Sequence, residues 1–375
     1  MLRTIIVGGG IGGLTTAIAL RRAGAEAVVL EKTGELREIG AGISIWVNAV
    51  EALEGMGLAD AVLAAGREGM EAEIRTSDGA TLSRVPLGKR FGRNVILTRS
   101  DLQRTLLAAL EGADVPVRVG AECVGFRQEG SCVVALMEGG GEERGDMLVG
   151  ADGLNSVIRR QIFGHERPRY AGFTAWRGLA DLQQDHEAFE AWGRGSVFGL
   201  AGLGRGRFYW YATKNAPEGQ ADSPAGRKAE VLERFGGWHE PVPAVILATE
   251  NAEILRNDIY DREPLKRWGE GRVTLLGDAA HPMTPNLGQG ACQAIEDAAE
   301  LAECLRGGKD VVRALRLYES RRRERTAGIA RRSRLFGRVS QLENPLLCAA
   351  RNATVRATPL RLQMRHLEAV LTYER

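Results

Sequence analysis

The sequence predicts an α/β fold: a parallel sheet flanked by helices, a β-rich lobe inserted into it, and helices at the C-terminal end. Three observations carry that expectation. The chain opens on a strand–turn–helix–strand run, "TIIVGGGIGGLTTAIALRRAGAEAVVLEK". Short apolar strands ending in an Asp–Gly or Gly–Asp corner recur later, in "MLVGADG" and "RVTLLGD". Between about 165 and 270 the pattern changes to runs of β-formers such as "GSVFGLAGL" and "RFYWYATK".

In the opening run, Thr4 to Val7 are β-formers, and Leu14, Ala17, Ile18 and Leu20 repeat at helical spacing. Ala27 to Leu30 supply a second buried strand that ends at Glu31. Between strand and helix, Gly8, Gly10 and Gly13 match GxGxxG. Gly8 permits the tight turn, Gly10 lets backbone amides approach a pyrophosphate, and Gly13 lets helix pack closely on strand. The helix start turns its free N–H groups to that anion. Glu31, at the end of the second strand, is placed to accept hydrogen bonds from a ribose. The unit therefore predicts a Rossmann-like dinucleotide site without saying which dinucleotide.

Bulk properties narrow the class. A chain of 375 residues holds a large core and two lobes. Its 48 glycines are nearly twice the usual share of about 7%, which implies many tight turns or close backbone approaches. The five cysteines form no CxxC pair and the five histidines show no HExxH spacing, so neither a disulfide framework nor a metal site is expected. No apolar stretch is long enough to span a membrane and no signal peptide is visible, so a cytoplasmic protein is expected. The net charge of +2 hides an asymmetry: residues 306–375 carry 17 Lys and Arg against 6 Asp and Glu. That excess reads as a solvated helical tail, or as a face toward an anionic membrane surface or acidic cofactor groups. Nucleic acid is not expected, because no recognition motif accompanies the charge.

Further signatures follow in a fixed order. "VILTRSDLQRTLLAAL" runs from strand into helix, with Ser100 and Gln103 spaced as a capping box. Asp152–Gly153 closes a short strand, and "LLGDAAHPMTPNLGQGACQAIEDA" places Gly277–Asp278 before two prolines and a glycine-rich turn. After Gln289–Gly290, apolar positions from Ala291 to Leu305 take helical spacing, so Leu287 to Gly290 present the positive end of a helix dipole.

GxGxxG near the start, DG in the middle and GD late in the chain resemble the single-component FAD-dependent aromatic hydroxylases, the class A flavoprotein monooxygenases. The likeness covers roughly residues 2–340 and leans toward urate and salicylate hydroxylase-like members; the segment from "ATENAEILRNDIYDR" to "NLGQG" also resembles zeaxanthin epoxidases. The resemblance implies a discontinuous, aromatic-hydroxylase type of FAD domain from 1–70, 96–164 and 270–340. It implies a substrate lobe from 71–95 and 165–269, leaving 341–375 as a helical tail. It implies that Gly8, Gly10, Ile11, Gly13, Glu31 and Lys32 hold the ADP half of FAD, with Arg99 near the pyrophosphate and Gln103 nearby. Asp278, beside Gly277, would take the ribityl chain, and Asp152 would serve FAD and NAD(P)H. Gly288, Gly290 and Ala291 would face the flavin ring, and Pro285 would stand where the oxygen adduct forms. "REIGAGISIW", residues 37–46, would border the ring through Gly42 and Ile43. His281 reads as a supporting residue. The implied chemistry is NADH- or NADPH-dependent insertion of one atom of O2 through a flavin C4a-hydroperoxide, in a monomer or homodimer.

In the β-rich lobe, Tyr209 and Tyr211 alternate with Trp210, so one face carries both hydroxyls and the other the indole. Tyr209 matches an active-site position of urate hydroxylase-like relatives. The arginine those relatives carry on the preceding strand is Val197 here, with Arg194 nearby as the available substitute. Losing a charge-assisted partner argues against urate and toward a larger or more apolar substrate. Three readings stay open: hydroxylation of an aromatic or heteroaromatic ring, epoxidation of an apolar polyene or terpenoid at a membrane surface, and a flavin reductase or sensor that inserts no oxygen.

Overall fold

Five parallel strands form one sheet, in the order Val273–Leu275, Met147–Gly150, Arg3–Val7, Glu26–Leu30 and Val117–Arg118. The computed structural model describes residues 1–36, 42–69, 71–308 and 310–372. Ile5, Ile6, Val29, Leu148, Val149 and Val273 are fully buried, as a sheet covered on both faces requires. Helix Ile11–Arg22 makes the first crossover, and helix Gly290–Leu305 packs beside it. Their approach is close: a Cβ on Gly12 would stand 2.9 Å from Leu276 and 3.2 Å from Ala294. The first strand has the second on one side and Met147–Gly150 on the other, which makes its carboxyl end a topological switch point.

Seven strands build the second large sheet, in the order Leu255–Asp261, Arg169–Asp181, Arg207–Asn215, Ser196–Gly204, Phe189–Trp192, Glu71–Thr76 and Thr81–Pro86. Every pairing is antiparallel except that of Phe189–Trp192 with Glu71–Thr76. One face buries Trp176, Phe198, Phe208 and Trp210 beneath helices Arg227–Phe235 and Val242–Ala248. Phe198 stacks on Trp210 at 5.7 Å, and the Trp210 indole donates to Thr249 Oγ1 at 2.8 Å. Tyr209 and Tyr211 take the opposite face, the alternation expected of the strand.

A small sheet of Gly42–Ile45, Val95–Thr98 and Arg67–Glu68 leads into helix Arg99–Gly112. The cap of that helix is two residues earlier than the Ser100–Gln103 spacing suggests. Thr98 Oγ1 accepts from the Asp101 amide at 3.0 Å and donates to the Asp101 carboxylate at 2.7 Å. Thr98 wins because the preceding strand delivers it in the extended conformation a cap needs, leaving Ser100 already inside the first turn.

Helix Val311–Ser340 runs for 30 residues and is followed by helices Pro345–Ala357 and Leu360–Leu371. These last two form a strap across both lobes. Arg351 donates to Ser340 O and Gly193 O, while Val355 joins Leu82, Trp192, Val197 and Phe336 in one apolar cluster. At the far end Val370 and Leu371 pack with Val47, Trp46 and Leu287. No helix among the described residues is long and apolar enough to cross a membrane.

Candidate active site

Four parallel strands deliver their functional corners to the same edge of the sheet: Val7 leads to Gly8, Leu30 to Glu31, Gly150 to Asp152 and Leu275 to Gly277–Asp278. Contacts tie these corners together. Gly8 has φ +109°, and a Cβ there would lie 2.4 Å from Ala151 O, so the first turn is wedged against the Asp152 corner. A Cβ on Gly13 would sit 1.9 Å from Gly8 O, which is why helix and strand pack only with glycine at that position. Glu31 accepts from the Gly9 amide at 2.7 Å and from the Thr33 amide at 2.9 Å, closing the far side of the turn. Gly10, by contrast, faces open space, and no side chain caps the helix that begins at Ile11. Lys32 is exposed beside Glu31, and Ile11 is buried.

The late corner faces the same crevice. Gly277 adopts φ +60°, and a Cβ on Gly290 would lie 3.9 Å from Asp278 Oδ1. Asp278 keeps solvent-accessible surface and makes no hydrogen bond with the described residues. Crowding by surrounding protein pushes its pKa up, an effect partly offset by the charges of His281 and Arg99. Pro285 is exposed in the short turn Pro285–Leu287, Gly288 follows at φ +62°, and Ala291 is half-buried in the first turn of helix Gly290–Leu305. That helix, too, has no side-chain cap, so its first N–H groups remain available. Ile43 is half-buried on the strand paired to Leu97, one residue from Thr98 and two from Arg99. Arg99 is exposed at its helix start and Gln103 is buried one turn on. Of the loop 37–46, residues 37–41 lie outside the described residues.

Asp152 is occupied differently. Its carboxylate accepts from Ser156 Oγ at 2.5 Å and from the Val157 amide at 2.7 Å, capping helix Val157–Phe163. Burial raises its pKa against those hydrogen bonds. In this arrangement it shapes the corner rather than presenting a free carboxylate.

Beneath the late corner lies a buried ionic network absent from the sequence-based picture. Asp297 accepts from His281 Nε2 at 2.5 Å, from the Gly277 amide at 3.1 Å and from Arg322 Nε at 2.6 Å. Glu296 pairs with Arg322 and accepts from Arg325 at 2.8 Å and from Asn48 at 2.5 Å; Asn48 in turn donates to Gln289 at 3.0 Å. Burial alone would raise both acids, but Arg322 with His281 or Arg325 brings them below the ordinary carboxylate range. His281 is thus a supporting residue, as its position suggested. The one sequence sign of the network was the adjacent Glu296–Asp297 pair within a helix start of mostly small and apolar residues, with the arginines of 321–325 to answer it.

On the opposing sheet, the Tyr209 ring rests on Gly42: an ideal Cβ there would stand 2.3 Å from Tyr209 Cγ. Burial raises the Tyr209 pKa, while the charges of Arg177 and Arg99 and a hydrogen bond from Arg177 pull the other way. Tyr211 lies over Gly199 in the same manner and donates to Glu190, which also accepts from the Trp192 indole at 2.5 Å. Burial pushes the Glu190 carboxyl up despite those two donors. Val197 sits in an apolar cluster, and Arg194 turns away to Glu343 O at 3.3 Å, so it does not replace the arginine missing at 197. Arg177, paired across the sheet with Tyr211, is a cation on this face and lies next to Tyr209. Nothing in "FTAWRGLAD" marked it, because its face is set by the register with the tyrosine strand.

The site therefore joins a mononucleotide-type βαβ corner to a crevice with an open acid and a free helix start. Comparison with known proteins decides the family. Residues 1–333 match the model of the FAD binding domain family. The chain belongs to that family. It is 42% identical over 362 residues to the aurachin C monooxygenase/isomerase of Stigmatella aurantiaca, covering 95% of this chain and 94% of that protein. It is 36% identical to the chloroplastic zeaxanthin epoxidase of Solanum lycopersicum over 88% of this chain, but spans only 54% of that protein's length. The crystal structure of Klebsiella pneumoniae HpxO with FAD and uric acid superposes with a TM-score of 0.92 at 28% identity, covering 99% of this chain and 96% of that one. The enzyme is an FAD-dependent monooxygenase of α/β fold. Its own residues fit that cofactor: Asp278 is an acid with no hydrogen-bond partner among the described residues, and Gly10 leaves room where a diphosphate needs backbone amides.

Proposed function

We propose that this monooxygenase uses NAD(P)H and O2 to insert one oxygen atom into an apolar aromatic or heteroaromatic ring that carries a phenolic or enolic oxygen. The overall balance is substrate, O2, NAD(P)H and a proton going to oxygenated substrate, NAD(P)+ and water. The observation that carries this reading is the Arg177–Tyr209 pair set in a wall that also holds the apolar side chains of Val197, Leu179 and Ala201. Bound FAD supplies the redox and oxygen-activating chemistry. The chain's residues do the rest. Tyr209, with its pKa raised, stays protonated at neutral pH and donates to the substrate oxygen. Arg177 favours the ionised form of that oxygen, which makes the ring more nucleophilic. The apolar wall excludes water. Glu31 and the first turn take the adenosine half of the cofactor, Asp278 its polyol chain, and the start of helix Gly290–Leu305 favours negative charge beside it. Pro285 stiffens that approach and contributes no competing N–H.

Aurachin C, named for the 42% identical relative, is the first compound to test. NAD(P)H consumption is measured for it, for simple phenols and for polyenes, with product mass. The expected result is a gain of one oxygen on a ring-bearing substrate with consumption coupled to product. Oxygen placed on an isolated alkene instead would favour epoxidation, a reading supported by the same apolar wall. Oxidation giving only hydrogen peroxide with every compound would return the reductase reading.

A further inference from the structure

We propose that the outward face of the C-terminal helical strap docks on an anionic lipid bilayer. Helix Pro345–Ala357 turns Cys348, Arg351 and Val355 inward. Leu346, Ala350, Ala353 and Ala357, spaced by three or four residues, are exposed along its opposite side, with Leu347 beside them. Leu346 is 79% exposed and Leu347 53%, and the next helix opens with Leu360 and Leu362 at 45% and 48%. The last turns of helix Val311–Ser340 add Leu335 at 62%. Soluble surfaces scatter single leucines; here they recur on three successive helices.

The charge beside these leucines selects the occupant. Arg356, Arg361 and Arg365, on the last two helices themselves, are exposed and make no ion pair among the described residues. Between 326 and 372 the chain has eight arginines and two glutamates, and helix Pro345–Ala357 has no acid at all. Two copies meeting through this face would bring like charges together, whereas a bilayer with anionic headgroups accepts both the leucines and the guanidinium groups. The inner side of the strap supplies a reason for docking there. Val355 shares a cluster with Val197 and Tyr211 on the tyrosine face of the sheet, so the strap lies between the substrate wall and the proposed lipid surface. Docking would bring a membrane-dissolved substrate to the cavity wall; this purpose rests on the apolar-substrate reading, but binding itself does not.

The test uses the full-length, FAD-loaded enzyme and co-sedimentation with vesicles of phosphatidylglycerol and phosphatidylcholine, or of phosphatidylcholine alone, at low and high salt. Expected are binding to the anionic vesicles, loss of that binding at high salt, and a partition coefficient at least about tenfold lower for L346D/L347D and for R356E/R361E. Both pairs are exposed, so melting temperature and flavin content should match the parent enzyme, and turnover of a water-soluble substrate should be unchanged. Absence of binding to anionic vesicles at low salt overturns the proposal, as does binding that both double variants retain. A lipid-free dimer that L346D/L347D converts to a monomer also overturns it, by assigning the face to self-association. None of these outcomes alters product formation, so failure here is separate from failure of the monooxygenase reading.

Discussion

Gly42 joins the two lobes by lacking a side chain. The Tyr209 ring occupies the volume that a Cβ would need, and the same device seats Tyr211 on Gly199. Gly42→Ala should therefore push Tyr209 out of line, at an overpacking cost of about 1–3 kcal/mol. The expected outcome is a fall of roughly tenfold or more in kcat/KM with flavin content retained, measured on the purified variant. Arg177→Met removes the cation facing Tyr209. A charge-assisted hydrogen bond worth about 1.5–3 kcal/mol corresponds to roughly a ten- to hundredfold rise in KM for a substrate with an acidic oxygen, and little change for one without. Tyr209 was legible from strand alternation. Arg177 was not, because which face it takes depends on its register opposite Tyr211.

At the scale of the element, helix Gly290–Leu305 serves two ends at once. Its start offers free amides beside Asp278, and its second turn carries the acids that hold Gly277, His281 and Asn48. Glu296 and Asp297 keep folded-state pKa values below their unfolded values near about 4. Their contribution is then fully present above that pH and is lost as pH falls through the lower folded values. Thermal melts should show a steep loss of stability below about pH 4. Asp297→Asn should flatten that acid limb while lowering stability at neutral pH by about 3–5 kcal/mol, since Arg322 loses a buried partner. At the other corner, Gly13→Ala places a methyl against Gly8 O, 1.9 Å away in the present geometry. The first helix must then lift from its strand, and the protein should purify colourless or release flavin readily.

Across the whole molecule, the strap of residues 341–372 links the lobes through contacts at both ends: Arg351 and Val355 on the seven-stranded sheet, Val370 and Leu371 against Trp46 and Leu287. Arg325 and Arg332 of the long helix also bond the strap's final carbonyls. A chain ending at Ser340 should therefore melt at lower temperature and show red-shifted tryptophan emission, because Trp46 and Trp192 lose apolar cover. It should also uncouple NAD(P)H oxidation from product, as water gains access to the tyrosine face. An unchanged melting curve would show that the strap is merely an appended tail.

The glycine spacing, the acids closing short apolar strands and the tyrosine alternation are local patterns, each tied to a turn, a helix start or a pleat, so the sequence alone determined the fold class and the glycine–acid corners at the strand ends. Chain-distant pairings left no such mark. The Asp152 carboxylate used as a helix cap, the Arg322 network under the Gly277 turn, Arg177 beside Tyr209 and the strap across both lobes all depend on which segments meet. Only the tertiary structure decided them, because burial and charge pairing belong to neighbours in space rather than in sequence.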